Sequence, residues 1–423
     1  SRPQRRHRMD TAFERHALDS NSCEGRSPAA WRHTGMGLMR VTIVSRIYRP
    51  EPSAASVFLG AVADALTARG DEVDVITSRP PRGTPPASAR ERVRAFPVLR
   101  DRSGYVRGYV QYLSFDIPLL FRLLFTRRPD VVVVEPPPTT GAVVRIVCAI
   151  RRIPYVYDAA DVWADATALV TTSRTIRSAV LIAERFAMRG AAHLITISTG
   201  VVDRVRAHRV ETPITVTGFG AMTEGFEPTG RIEPVLLYAG TAADLHGASI
   251  FVDAFAILRR SYPDLRLRFV GNLTAEDQLR ARASSLDVLD AVEFRPSIPT
   301  SELAPELARA SIALASVKPG TGSDYAFATQ TYSAWSAGCP VVFAGAGPTA
   351  ALIAEANRIV RAGRNATFDP NDVATALASL LEAPPSREER AALSSWTQRE
   401  HSIGAVADRV AAVIDQVAST LKR

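Results

Sequence analysis

The feature that most restricts the fold is a rhythm: short, nearly all-apolar runs alternate with helix-spaced segments, and the rhythm stops and restarts once. Arg40 to Ser45 (RVTIVS) reads as a strand, Ala54 to Arg69 has helical spacing and ends at Gly70, and Glu72 to Thr77 is a second strand. The series continues with VVVVE at 131–135, a helix over 139–151, PYVYD at 154–158, a helix over 174–190 and HLITIS at 193–198. Apolar strands separated by helices belong in a parallel sheet covered on both faces. A stretch containing Gly, Pro and Thr at 218–230 interrupts the rhythm. It restarts with PVLLYAG at 234–240, a helix over 248–260 and strands at 265–271, 291–294, 311–316 and 340–345. The expected fold is therefore α/β, with two tandem doubly wound Rossmann-like domains, 39–217 and 231–400, joined by a linker at 218–230. They face a cleft that is the default ligand site, and a last helix, 401–423, packs back towards the first domain.

Composition agrees with that division. A chain of 423 residues is too long for one ordinary core, and 46% hydrophobic with 22% charged residues excludes a disordered chain. The net charge of +8 rests on arginine, because lysine occurs only at Lys318 and Lys422. No run interleaves basic and aromatic residues as a nucleic-acid patch does, so nucleic acid is not an expected partner. Cys23, Cys148 and Cys339 are far apart and lack metal-ligand spacing, which predicts free thiols in a reducing, cytoplasmic compartment. Residues 1–38 show no apolar periodicity and read as a disordered or non-native leader. No run approaches the roughly 20 apolar residues of a membrane span.

Several segments, in this order, carry a resemblance: YRPEPSAAS at 48–56, RRPDVVVVEPPP at 127–138, PYVYDAADVWAD at 154–165, ITISTG at 195–200, LLYAGTAADLHG at 236–247, LRFVGN at 267–272 and SAGCPVVFAGAGP at 336–348. Over roughly 39–420 the chain resembles the family 4 glycosyltransferases of GT-B fold, nearest to members acting in polysaccharide or antibiotic-sugar assembly. The resemblance implies a retaining, metal-independent enzyme that needs no cofactor beyond a nucleoside diphosphate sugar as co-substrate. The acceptor would be a small molecule or a lipid or glycan intermediate. Alternatives are a thiol acceptor, a degenerate nucleotide-binding pseudoenzyme and a nucleotide-sugar epimerase.

The donor site of this family departs from its usual pattern here. Relatives carry two glutamates eight residues apart, and those places fall on Tyr325 and Ser333. Ser333 can accept a ribose hydrogen bond, less strongly than a carboxylate. Asp324, beside Tyr325 and Ala326, is either a substitute reaching sugar hydroxyls or the cap of a helix starting near Tyr325. The family's lysine–glycine pair reads His246-Gly247, and its arginine place near Thr241 is apolar or hydroxylic. Lys318, just past a strand end, is either a replacement cation for the diphosphate or a solvated loop residue. Ser53, Ala54 and Ala55 open a helix whose free N–H groups suit a diphosphate, although relatives have glycines at 54 and 55. Ser53 as an ordinary N-cap is the other reading. Gly240 and Asn272 complete the donor contacts that the resemblance implies.

On the first domain, Asp158 and Asp161 stand at or just past a strand end and are the candidate catalytic carboxylates for orienting or deprotonating an acceptor. The resemblance places Trp163, Glu135 and Tyr48 around that acceptor. The aromatic, apolar segment Tyr105 to Arg128 reads as a helix packed on the first sheet. Its arginines leave open a contact with the inner membrane surface.

Overall fold

A computed structural model of the chain describes residues 38–420 apart from 52, 85–88, 102–103, 105, 107, 224, 242–246 and 321–325. The first domain runs β1 (Arg40–Val44), α1 (Ala54–Ala68), β2 (Glu72–Ser78), β3 (Arg92–Phe96), α2 (Tyr109–Phe125), β4 (Val131–Val134), α3 (Pro138–Arg151), β5 (Tyr155–Asp158), α4 (Trp163–Val170), α5 (Arg174–Gly190), β6 (His193–Thr196), α6 (Thr199–Ala207) and β7 (Ile214–Val216). Every pairing is parallel, in the order β3-β2-β1-β4-β5-β6-β7. β4 shows why these residues make a central strand. Its four valines are all fully buried, and a branched side chain on each face packs against the helices above and below. One face is covered by Phe115, Leu119 and Leu123 of α2 with Val144 and Val147 of α3. The other is covered by Leu59, Val62 and Leu66 of α1.

The second domain repeats the plan with β8 (Glu233–Ala239), α7 (Ser249–Leu258), β9 (Arg266–Val270), α8 (Glu276–Ser285), β10 (Val292–Arg295), α9 (Thr300–Arg309), β11 (Ala310–Ser316), α10 (Gln330–Ser336), β12 (Val341–Ala344), α11 (Pro348–Ala356), β13 (Gly363–Ala366), α12 (Pro370–Glu382) and α13 (Arg387–His401). Its sheet, again parallel, has the order β10-β9-β8-β11-β12-β13. The expected pair of doubly wound domains is present. α14 (Ile403–Thr420) packs on α1, where Val410, Ile414 and Val417 join the core of the first domain.

Both sheets change winding direction at one point, between β1 and β4 in the first and between β8 and β11 in the second. Helices leaving neighbouring strands there go to opposite faces, which opens a crevice at the carboxyl ends of the strands. Ser45, Glu135 and Asp158 lie at the first of these crevices, and Gly240 and Thr241 at the second.

Candidate active site

A cavity of about 580 Å³ lies between the domains. α1 contributes Ala54, Val57 and Phe58 from the first domain, and the second contributes Gly240, Thr241, Gln330 and Ser333. The floor at the end of β8 is bare backbone for a steric reason. Gly271 holds φ +144°, and a Cβ there would sit 2.0 Å from the Gly240 carbonyl oxygen. Ser333 is the fourth residue of α10 and points into this space.

A second cavity, about 370 Å³, opens at the ends of β8, β11 and β13, and is lined by Gly247, Ser249, Gln278, Lys318 and Phe368. Gly247 is required for it: at φ +65°, a Cβ would meet Phe368 at 2.4 Å and the Lys318 Cβ at 3.1 Å. Lys318 therefore stands beside the family's lysine–glycine position, but in a different cavity from Ser333.

The third cluster belongs to the first domain alone. Ser45 and Arg46 follow β1, Glu135 follows β4, and Asp158 ends β5, so all lie at carboxyl ends of adjacent strands. Arg46 is 4% exposed and donates to the Val106 and Pro136 carbonyls at 2.8 and 3.5 Å. Its guanidinium lies 4.4 Å from the Tyr112 ring centre and 5.8 Å from that of Trp163, and its Nε finds no hydrogen-bond partner among the described residues. The Ser45 hydroxyl lies 3.0 Å from the Glu135 carboxylate. Burial pushes the Asp158 carboxyl up to about 8, and the nearby Glu135 charge adds to the rise. Burial likewise pushes Glu135 up to about 7, against the pull of Arg46 and the Ser45 hydroxyl. Two carboxyls coupled in this way share protons near neutrality instead of carrying two charges. One can then accept a proton while the other donates a hydrogen bond.

Buried Glu184 fixes the neighbouring turn. Its carboxylate accepts from the Trp163 and Ala164 N–H groups at 2.8 and 2.9 Å, holding the first residues of α4 and aiming the Trp163 ring edge-on at Tyr112. Burial pushes this carboxyl up to about 7.

The structure thus brings Glu135, Asp158 and Trp163 together. Asp161 is exposed and accepts from the Val162 N–H at 2.8 Å. Tyr48 does not fit an acceptor contact: its side chain is buried, and its hydroxyl donates to Glu91 at 2.6 Å in a network that also holds Arg49. Ser53 caps α1, accepting from the Ser56 N–H at 3.0 Å, while Ala54 lines the large cavity and half-buried Ala55 follows it. Asn272 is exposed past β9 and Ala326 is half-buried; neither lines the two cavities. His246, Asp324 and Tyr325 lie outside the described residues. The helix expected near Tyr325 starts instead at Gln330, with Thr329 in the N-cap position. Sequence reasoning missed Arg46, Tyr112 and Glu184. The one signal that could have found Arg46 is its place just past a central strand. Among the described residues no group of three His, Cys, Asp or Glu side chains is arranged to hold a metal ion, and Cys148 and Cys339 are buried free thiols. No helix among them is long and apolar enough to cross a membrane.

Two tandem doubly wound domains with a cavity between them are the GT-B architecture. Residues 53–220 match the family model described as a glycosyl transferase 4-like domain, and residues 233–383 match that described as glycosyl transferases group 1. The chain belongs to this glycosyltransferase family. No protein of curated function matches the sequence. Similar solved structures include sucrose-phosphate synthase from Thermosynechococcus elongatus, with TM-score 0.66 and 16% identity over 90% of this chain and 100% of that one. HepE of Anabaena, in complex with UDP, has TM-score 0.64 and 15% identity over 90% and 100%. A UDP-N-acetylglucosamine 2-epimerase is less similar, with TM-score 0.55 and 14% identity over 91% and 97%.

Proposed function

We propose that this glycosyltransferase is a retaining, metal-independent enzyme of the cytoplasm that moves a sugar from a nucleoside diphosphate donor to a small-molecule or lipid-linked acceptor. The 580 Å³ interdomain cavity carries the reading, because it is walled by the start of α1 on one side and by Gly240, Thr241 and Ser333 on the other. That HepE has been captured with UDP supports a nucleotide donor. In this reading Ser333 holds the ribose. A donor that extends from this cavity into the one lined by Lys318 sets the Lys318 ammonium, with the N–H groups at the start of α1, against the charge that grows on the departing diphosphate. The acceptor lies on the first domain, against Arg46 and Trp163. The Glu135–Asp158 pair orients its nucleophile and takes up the proton lost as the new glycosidic bond forms and the anomeric carbon–phosphate oxygen bond breaks.

Thermal denaturation in the presence of UDP, GDP, TDP or ADP tests the donor half. One of them should raise the Tm progressively with concentration, as linkage requires. Ser333→Ala and Lys318→Ala should each weaken that nucleotide about three- to tenfold, the loss of one hydrogen bond or one exposed charge. No response to any nucleotide would sink the transferase reading and favour a protein that has lost its donor. Unchanged affinity in both variants would move the donor elsewhere.

A further inference from the structure

One loop joins the acceptor cluster to the interdomain cavity. It runs from Arg46, in that cluster, to Ser53, which caps α1 where the helix forms the cavity wall. In the first turn of α1 the Ser56 and Val57 N–H groups are taken by the Ser53 hydroxyl and carbonyl. Those of Ala54 and Ala55 have no partner among the described residues, and Ala54 lines the cavity.

The side chain that holds this loop comes from outside it. Arg100 follows the edge strand β3, and its guanidinium grips the Glu51 carboxylate with both prongs, at 3.0 and 2.9 Å. The same guanidinium donates to the Gly104 and Arg79 carbonyls at 2.8 and 2.7 Å and to the Ser78 hydroxyl at 3.1 Å. Ser78 donates in turn to the Arg46 carbonyl at 2.6 Å. Arg100 thus reaches both ends of the loop, Glu51 directly and Arg46 through Ser78. A fork-on-carboxylate pair fixes direction as well as distance. Charge matters too, because Glu51 is only 6% exposed and stands three residues before Ala54. Without Arg100 a nearly buried anion would be left uncompensated beside the N–H groups that face the cavity.

We propose that Arg100 is a positioning residue for the donor diphosphate. It cancels the Glu51 charge next to the start of α1 and sets the distance from those N–H groups to the acceptor cluster, a spacing on which the transfer step depends. Arg100 acts through Glu51 and Ser78 and is not itself a catalytic residue. The inference rests on the donor reading above, which places the diphosphate at the start of α1.

Isothermal titration with UDP, GDP, TDP or ADP, whichever raises the Tm, and with the matching nucleoside separates the outcomes. Arg100→Ala should bind the nucleoside diphosphate about tenfold more weakly, and the nucleoside within about twofold of the wild type, because only the diphosphate meets the stranded Glu51 charge. Arg100→Lys, which keeps the charge and loses the fork, should fall between wild type and Arg100→Ala. Should Arg100→Ala fail to fold, Arg100→Lys carries the test, with a loss confined to the diphosphate. A loss shared equally by diphosphate and nucleoside, or no loss of either, overturns the inference and leaves the donor reading standing. A wild type that answers to no nucleotide overturns both.

Discussion

Asp158 ends its strand with a carboxyl that burial and Glu135 both disfavour as an anion. Its folded pKa, about 8, lies above the ordinary 3.8, so the folded state binds a proton that the unfolded state has released. The stability it contributes is complete below about pH 4 and is lost as pH rises through about 8. Asp158→Asn removes that dependence. The variant's Tm should therefore exceed that of the wild type by more at pH 8.5 than at pH 5, while transferase activity falls; a Tm difference independent of pH would mean that Asp158 is not held as described. This carboxyl and Trp163 were legible in the sequence because the end of a β-strand in an α/β fold faces the crevice. Arg46 and Glu184 were not, since their roles depend on burial and on partners 90 and 21 residues away, Pro136 for Arg46 and Trp163 for Glu184. Tyr48 misled for the converse reason: a residue just past a strand end can turn inward when a buried acceptor such as Glu91 awaits its hydroxyl.

At the scale of elements, the central strands and long helices were readable because each is apolar at a fixed period. The edge strands were not: β3 (RVRAF), β7 (ITV) and β13 (GRNA) are short, and their side chains are half solvated, so they carry little apolar signature. α10 shows a coupling that no pattern announces. Tyr332, next to Ser333, stacks on His401 at 4.9 Å, and Trp396 meets the same imidazole edge-on at 4.7 Å. Neither ring nitrogen of His401 has a hydrogen-bond partner among the described residues. Burial, with Arg409 nearby, lowers its pKa to about 4, so the ring is neutral in the folded protein. The unfolded chain protonates near 6.5, and stability is therefore lost as pH falls from about 6.5 towards 4, by up to about 3 kcal/mol. His401→Phe keeps a ring in the stack and removes the titration. It should melt higher than the wild type at pH 5 and show a much smaller difference at pH 7.5. A Tm difference equal at both values would show that the imidazole is already hydrated and free to charge.

The whole molecule is held by a chain crossing that joins the fates of the two domains. The linker leaves the first domain at Thr217, whose carbonyl accepts from Arg409 at 2.8 and 3.0 Å, and then pairs with the returning chain, Ala221 N–H to His401 O at 2.7 Å and Ile403 N–H to Ala221 O at 2.8 Å. α14 then completes a core that its own domain does not contain. The Arg69 pairs with Asp408 and Asp415, at 3.4 and 3.0 Å, are partly exposed and contribute little, about 0–1 kcal/mol each. Apolar packing dominates, because Val410 and Ile414 are fully buried against Leu59, Val62 and Leu66. Ile414→Ala should therefore cost about 2–5 kcal/mol in the first domain. Because α14 continues directly from α13 of the second domain, that loss should lower one shared unfolding transition, seen alike by circular dichroism and, in a variant with Trp163 replaced by Phe so that Trp335 and Trp396 report on the second domain, by tryptophan fluorescence. Two separate transitions, with only the one reporting on the first domain shifted, would show that the crossing is a tether and that the cavity between the domains is free to open without unfolding either.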